Sequence, residues 1–456
     1  MKKTKILVIM TLILSLIVGT ISSNSVSVEA ASTIPDVKIA FLNVCDKSIG
    51  NTTGKADATL IQANNQLVLV DCGLAETYEH LKERIRARYA QMISENDVTQ
   101  VTKVTLEAIV ITHNHSDHMG ALANILNDSF FEVKKVVYAD ICDSCGENSA
   151  GCTCVCKTCK KKIKNCTCVC KKCGQKMDAC TCDGLEKTNL QTIKNAVKGK
   201  VQTVVNLQSL PEKSKYTDSD LKPHCISLGY TDIKVYRPIN KANYVRINAA
   251  ENNTKHEKYD TLWTNNRSMI VRVVTNKDAL TDTNKGMTAL LLGDLYVNGI
   301  IAARNVYGSK IFSKDYDVCK VGHHGYRSSS LWGYKINSTN VNLKKLNKDW
   351  KSNTNKITFL NKYAKKTLVD AEIAFYNKYI GARNYVFNVS DEKVATQTAG
   401  VIGRYNKLAA QKKLKYKNEK GKSVASTCTK YGSLFHVNTS GKFTSKVTKC
   451  VKVKKK

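Results

Sequence analysis

Proline is scarce, with four in 456 residues. So few argue against long disordered linkers and for a chain that is mostly folded. Acidic residues are also short: 38 Asp and Glu stand against 71 Lys and Arg, a formal net charge of +33. That imbalance favours polyanionic partners such as nucleic acid, wall teichoic acid or anionic lipid. Its bland reading is solubility and retention at a wall. Arginine is short too, since only eleven of the basic residues are Arg. Lysine is a solvated point charge, whereas arginine reads bases and phosphates bidentately, so the charge implies general attraction to anions and not base-sequence readout. After Ile21 no stretch is apolar enough to span a bilayer.

What is present begins with "MKKTK" and an apolar run from Ile6 to Ile21, followed by the small residues Val28 and Ala30 in "VEAAS". Basic, apolar and small-residue regions in that order read as a secretory signal over 1–31. The expectation is an exported, secreted protein, free or associated with the cell wall, with no integral membrane span after cleavage.

Short β-rich runs alternate with helical spacing. "DVKIAFLNV", "DATLIQ", "QLVLVDCG", "LEAIVIT" and "EVKKVVYAD" read as strands, and Leu74–Ile93 reads as a helix. Further on, "KVQTVVNL", "DIKVYRP", "NNRSMIVRVV", "MTALLLGDL" and "YDVCKVGHHG" read as strands, with helices expected at Asn189–Lys198 and Thr396–Ala410. This alternation predicts a layered α/β fold, with polar motifs in loops beyond strand ends. The expected organisation is a domain over 36–141 and 183–442, interrupted by a cysteine-rich insertion over 142–182. A basic tail is expected over 443–456.

Twelve of the 18 cysteines lie in that insertion, as three units of pattern C-x2-C-x6-C-x-C with a period of 14 residues. The units are Cys142, Cys145, Cys152, Cys154; then Cys156, Cys159, Cys166, Cys168; then Cys170, Cys173, Cys180, Cys182. Four thiolates per unit match a tetrahedral structural Zn2+, so three such ions are expected. Disulfides are the rival, because exported proteins keep them. Units this small cannot bury a core, so one or the other must hold them. No base or nucleophile pattern lies within the block.

The chemistry points elsewhere. "ITHNHSDHMG" sets His113, His115, Asp117 and His118 after a buried strand. Alternation turns His113 and His115 to one side as ligands for one metal, while Asp117 and His118 turn to a second. Asp294 in "LLLGDL" can bridge two ions or merely cap a helix. In "KVGHHGYRSSS", one of His323 and His324 can complete the second metal and the other can contact substrate or shuttle a proton. Arg327, Ser328 and Ser329 offer charge-assisted hydrogen bonds to a phosphate. Asp71, at a strand end, can hold a ligating imidazole by its free N–H.

In this order the motifs resemble the metallo-β-lactamase fold superfamily. The branch they look most like is the hydrolase domain of competence DNA-uptake channel proteins, with wall phosphorylcholine esterases similar. "FLNV", "ADATLI", "LVLVDCG", "THNHSDHMGAL", "LLLGDL", "KVGHHGYRSSS" and the late "STCTKYGSLFHVNTSGK" carry the resemblance. It implies an αββα sandwich with the site at one edge, into which the cysteine module is inserted. It further implies two Zn2+ or similar divalent ions: one on His113 and His115, the other on Asp117, His118 and His323, with Asp294 bridging. His323 is preferred to His324 because it directly follows Gly322. Asp117 would orient a hydroxide activated by the two ions, and His324 would serve catalysis. The implied activity is an exported phosphodiesterase acting on a polyanion. The alternative is a non-catalytic wall- or metal-binding protein built on the cysteine units and the lysine-rich surface. Two departures stand out. Asn43 occupies a place where the branch has Asp, and no histidine clearly fills the superfamily's third-ligand position; His224 and His256 read as surface residues.

Overall fold

A computed structural model of the chain describes residues 36–45, 47–141, 185–252, 263–275, 287–312, 316–325, 380, 382–388, 425–427, 431–437 and 443–449. Seven strands precede residue 142: β1 (Val37–Phe41), β2 (Thr59–Ala63), β3 (Gln66–Val70), β4 (Val104–Leu106), β5 (Ala108–Ile111), β6 (Phe131–Val133) and β7 (Lys135–Ala139). Beyond residue 184 come β8 (Thr203–Leu207), β9 (His224–Leu228), β10 (Thr231–Tyr236), β11 (Ile270–Thr275), β12 (Ala289–Leu291) and β13 (Tyr316–Lys320). The last four are β14 (Ala382–Phe387), β15 (Ala425–Thr427), β16 (Tyr431–Val437) and β17 (Phe443–Lys449).

These build two large sheets, ordered β17-β16-β1-β2-β3-β5-β7-β8 and β15-β14-β13-β12-β11-β10-β9. Each is antiparallel in one half and parallel in the other: β3, β5, β7 and β8 run parallel, as do β12, β13, β14 and β15. Strands β7 and β8 are neighbours although the cysteine-rich segment lies between them in sequence. That segment falls outside the described residues, as does the helix expected at 396–410.

Period-two alternation explains the layering. Val68, Val70, Ala108, Val110 and Val137 face the second sheet and pack on Val235, Val271, Val273 and Leu291. Their neighbours Leu67, Leu69, Ile109, Ile111 and Val136 face away. There they meet Leu81 and Ile85 of the helix Tyr78–Met92, Leu122 and Ile125 of the helix Leu122–Asn127, and Ile193 of the helix Leu185–Val197. A strand buried on both faces reads as a continuous apolar run, as "AIVI" does in β5. On the far side of the second sheet the helix Val297–Tyr307 packs through Tyr307, whose ring meets Tyr236 edge-on at 5.2 Å. Each fully buried apolar side chain contributes about 1.5–3 kcal/mol, so this four-layer stack fixes the strand ends that carry the site. The mixed α/β architecture read from the sequence is the one observed.

One boundary differs. Within the span read as a basic tail, residues Phe443–Lys449 form β17, paired along its length with β16. The reason is composition: "FTSKVTK" carries Phe, Val and two Thr, which favour a strand. Lysines are tolerated at a sheet edge, where they discourage further pairing.

Candidate metal centre

The parallel halves aim their carboxyl ends at one place. Where β3 stops, Asp71 takes a left-handed φ of 57°, a conformation that Asp tolerates better than most residues. This turns its carboxylate back across β5. One oxygen accepts the Thr112 N–H at 2.8 Å; the other accepts the Thr112 hydroxyl at 2.9 Å and faces His118 Nδ1 at 2.8 Å. The loop after β5 is thus pinned at both ends. Asp57, just before β2, donates its N–H to the Asp117 carbonyl at 3.0 Å, and the Cys72 N–H reaches the His118 carbonyl at 2.7 Å. From the second sheet, the Met269 N–H reaches the Thr112 carbonyl at 2.9 Å.

Strand β12 delivers Asp294 through a turn at Gly293, whose φ is 52°. A Cβ there would lie 2.8 Å from the Ser268 Cβ and 3.1 Å from the Thr112 hydroxyl. Glycine is needed because the two sheets approach each other at this point. Strand β13 delivers "GHHG", in which His323 and His324 both have left-handed backbones, with φ of 46° and 54°. Two consecutive non-glycine residues in that region are costly and persist only where surrounding contacts over-determine them. The His324 Nδ1 lies 3.0 Å from the Asn388 carbonyl. A carbonyl only accepts, so Nδ1 donates and Nε2 is the nitrogen presented to the site.

Two groups of ligand-type side chains result. His113, His115 and Asp294 form one; Asp57, His118, Asp294 and His324 form the other, with the ligand atoms of each group within 4.8 Å of one another. Asp294 is common to both. Its oxygens stand 3.7 Å from His113 Nε2, 3.0 Å from His118 Nε2 and 3.6 Å from His324 Nε2. Asp117 lies 3.2 Å from His324 Nε2 and 3.1 Å from the Lys55 ammonium. His323 sits further out, 4.0 Å from Asp294, with its ring 4.8 Å from that of Tyr296. The second group therefore contains His324, where sequence spacing had preferred His323. The left-handed turn at His323 is the reason: it carries the direct successor of Gly322 outward and swings the next residue in. His224 opens β9 and joins neither group; His256, Arg327, Ser328 and Ser329 lie outside the described residues.

Sequence reading missed two residues that the fold brings in. Asp57 precedes β2 in "ADATLI", and Lys320 ends β13 in "YDVCK". The Lys320 ammonium pairs with Asp57, donates to the Gly293 carbonyl at 2.7 Å and stands 3.8 Å from Asp294. A lysine closing the strand directly before the His-rich turn was the available signal.

The donor set fits divalent cations. Imidazole and carboxylate together suit zinc and similar ions. No hydrogen bond is completed at His113 Nε2, His118 Nε2 or either Asp294 oxygen, all of them buried. Buried polar atoms are ordinarily satisfied, so these four ask for a partner of another kind. Electrostatics agree. Burial alone would raise the Asp294 carboxyl, but His118 and His324 outweigh it and hold it well below the usual carboxylate range. Burial would lower His118, yet Asp294, Asp71 and Asp57 drive it well above the usual imidazole value. A field that retains a proton on a buried imidazole also attracts a metal cation. His113, by contrast, is held well below its usual value by burial, with His118 and His115 adding to the effect. It stays neutral, as a ligand must.

Residues 51–138 match the family model of the metallo-beta-lactamase superfamily. That span holds Asp57, Asp71 and the whole His113–His118 loop. The match supports the metallo-beta-lactamase superfamily fold for this chain. Among solved structures, the chain is similar to the metallo-beta-lactamase fold protein YhfI from Bacillus subtilis, with 12% identity, a TM-score of 0.28 and coverage of 63% of this chain and 70% of that one. It is also similar to a metallo-beta-lactamase from Cronobacter sakazakii, with 9% identity, a TM-score of 0.26 and coverage of 59% and 74%. A third is the metallo-beta-lactamase SMB-1 bound to 2-mercaptoethanesulfonate, with 11% identity, a TM-score of 0.27 and coverage of 59% and 74%. No curated protein matches.

Proposed function

We propose that this protein is an exported metal-dependent hydrolase that cleaves phosphodiesters in a polyanion, either nucleic acid or wall teichoic acid. The observation that carries the reading is Asp294, a buried carboxylate shared by two histidine-containing groups. One carboxylate facing two ligand sets is what a two-metal hydrolytic centre requires. In this reading His113, His115 and Asp294 would hold one zinc, and His118, His324, Asp294 and Asp57 or Asp117 would hold the other. Such ions supply Lewis acidity to the charge that builds on a phosphoryl oxygen. Asp71 fixes His118 by its Nδ1–H and leaves Nε2 for the site. Lys320 neutralises Asp57, and Asp117 would orient the attacking hydroxide.

The motif resemblance to the hydrolase domain of competence DNA-uptake channels and to wall phosphorylcholine esterases favours phosphodiester chemistry. The net charge of +33 favours a polyanionic substrate and wall association. Export rests on the N-terminal signal pattern; among the described residues no helix is long and apolar enough to cross a membrane. The cysteine units would hold structural zinc apart from catalysis. Metal analysis of the full chain, and of one lacking 142–182, tests both centres: about three zincs should go with the insertion and up to two should remain. The decisive assay is hydrolysis of bis(p-nitrophenyl) phosphate, plasmid DNA and teichoic acid by the zinc-loaded mature chain, beside Asp294→Asn. Activity on a diester, abolished in the variant, supports the reading. A zinc-loaded wild type that cleaves none of the three overturns it.

A further inference from the structure

The segment from Asn51 to Asp57 is organised around one buried side chain. Asn51 donates its amide to the Val44 carbonyl at 2.7 Å and the Lys55 carbonyl at 3.2 Å, and accepts the N–H groups of Thr53 at 2.9 Å and Gly54 at 2.7 Å. The Thr53 hydroxyl adds a bond to the Lys55 carbonyl at 2.9 Å. Asn51 is 1% exposed. These bonds fix the backbone on both sides of Lys55, and the Asp57 N–H docks the loop onto the Asp117 carbonyl. The Lys55 ammonium then lies 3.1 Å from Asp117, with its side chain 30% exposed where that of Asp117 is 4% exposed. Lys320, the other lysine of the site, is buried behind the carboxylates. Among the described residues of the site, Lys55 is the cation on the solvent side.

We propose that Lys55 is the residue that binds the anionic oxygen of the substrate at the mouth of this centre, and so selects phosphoesters over neutral esters. The inference deepens the phosphodiesterase reading and rests on it. An ammonium has three protons to donate, so it can hold Asp117 and an incoming phosphoryl oxygen together. A rigid loop makes the interaction stronger, because little order remains to be imposed when the ligand arrives.

The test uses inorganic phosphate as probe, titrated calorimetrically into the zinc-loaded full chain, wild type against Lys55→Gln and Lys55→Arg. Zinc content is measured in each. Removing one charge-assisted hydrogen bond should weaken phosphate binding about tenfold or more in Lys55→Gln. Lys55→Arg should retain most of the affinity, and zinc content should be the same in all three. Lys55→Met replaces the glutamine variant if that one fails to fold. A wild type that binds no phosphate overturns the proposal, as does a glutamine variant that binds it equally well. A fall in zinc content parallel to the loss of phosphate affinity also overturns it, since Lys55 would then be supporting Asp117 alone. If phosphate binds through Lys55 but no diester is cleaved, the anion site stands and the proposed reaction fails.

Discussion

Replacing Asp71 with Asn probes how the site is held. Of the two carboxylate oxygens, one accepts the Thr112 N–H at 2.8 Å. The other accepts the Thr112 hydroxyl at 2.9 Å and the His118 Nδ1 proton at 2.8 Å. An amide cannot serve both places. With its NH2 toward Thr112 N it sets donor against donor there; turned the other way, it sets NH2 against the His118 Nδ1–H. Hydroxyl rotation relieves Thr112 Oγ1 in either case. His118 can escape only by moving its proton to Nε2, the nitrogen that faces Asp294 at 3.0 Å. The lone pair a metal would need is then gone. Stability should fall by about 1.5–3 kcal/mol, the worth of a buried hydrogen bond to a charged group. Zinc affinity should fall about 10–100-fold, the usual consequence of losing a carboxylate behind a ligating histidine. Competition with a chromophoric chelator measures the second quantity and denaturant unfolding the first. Thr112→Val removes the hydroxyl bond to Asp71 and its contacts with Nδ1 of His113 at 3.3 Å and of His118 at 3.5 Å but leaves the Asp71–His118 bond, so it should lower zinc affinity less than Asp71→Asn does. An Asp71→Asn protein that binds zinc as tightly as the wild type would refute the positioning role.

Further outcomes follow from the same geometry. His324→Ala should reduce zinc stoichiometry at the histidine centre by one and His323→Ala should not, as read by metal analysis of chains lacking 142–182. Gly322→Ala would place a Cβ 2.1 Å from the Leu295 carbonyl oxygen; with backbone as the obstacle, unfolding free energy should drop by about 1–3 kcal/mol. Zinc at 100 times its dissociation constant should raise stability by about 2.7 kcal/mol through linkage, and Asp294→Asn should lose most of that increment in a zinc-dependent thermal melt. Away from the site, Asp128 is lowered to about 2, burial opposing and the Lys82 and Tyr78 hydrogen bonds prevailing. A depressed carboxyl stabilises above its unfolded pKa of about 3.9, and that contribution is lost as pH falls through the folded value. The stability difference between wild type and Asp128→Asn, about 1–2 kcal/mol for a half-buried charge-assisted pair, should therefore be present at pH 5 and vanish toward pH 2.

Most strands were legible because their alternation or continuous apolar character survives in sequence. "QLVLV" and "AIVI" could not be solvated, and their burial on both faces is what the two-sheet stack provides. The helix Tyr78–Met92 lies inside the span its spacing indicated. What escaped has weak patterning: β9, "HCISL", alternates but is bounded by mixed residues, and the helix Lys241–Asn252 shows no apolar face. The helix Val297–Tyr307 was hidden behind the Asp294 turn, whose chemistry dominated that stretch. At the site, the local clusters His113–His118 and Gly322–Gly325 announced themselves by spacing. Asp57 and Lys320 did not, since each is a single charged residue beside a strand and their pairing joins positions 263 apart. Which of two adjacent histidines turns inward depends on φ, and φ is set by contacts with Gly293 and Asn388 from distant segments.

The placement of charge explains why chemistry gathers at this seam. Four buried carboxylates reach it from separate strand ends: Asp57 before β2, Asp71 after β3, Asp117 beyond β5 and Asp294 beyond β12. Isolated buried charges cost several kcal/mol each unless they are paired and hydrogen-bonded. Each has partners in the chain: Asp57 has Lys320, Asp71 has Thr112 and His118, Asp117 has Lys55 and His324, and Asp294 has His118. Asp294 is faced by the Nε2 atoms of three imidazoles, His113, His118 and His324, and is common to both groups of ligand-type side chains. The other three are therefore structural in part, each fixing a loop or a ring, and their rigidity is what aims the histidines. Asp294 is the carboxylate that both groups share. It stands where the two sheets meet, the one point that both groups of histidines can reach.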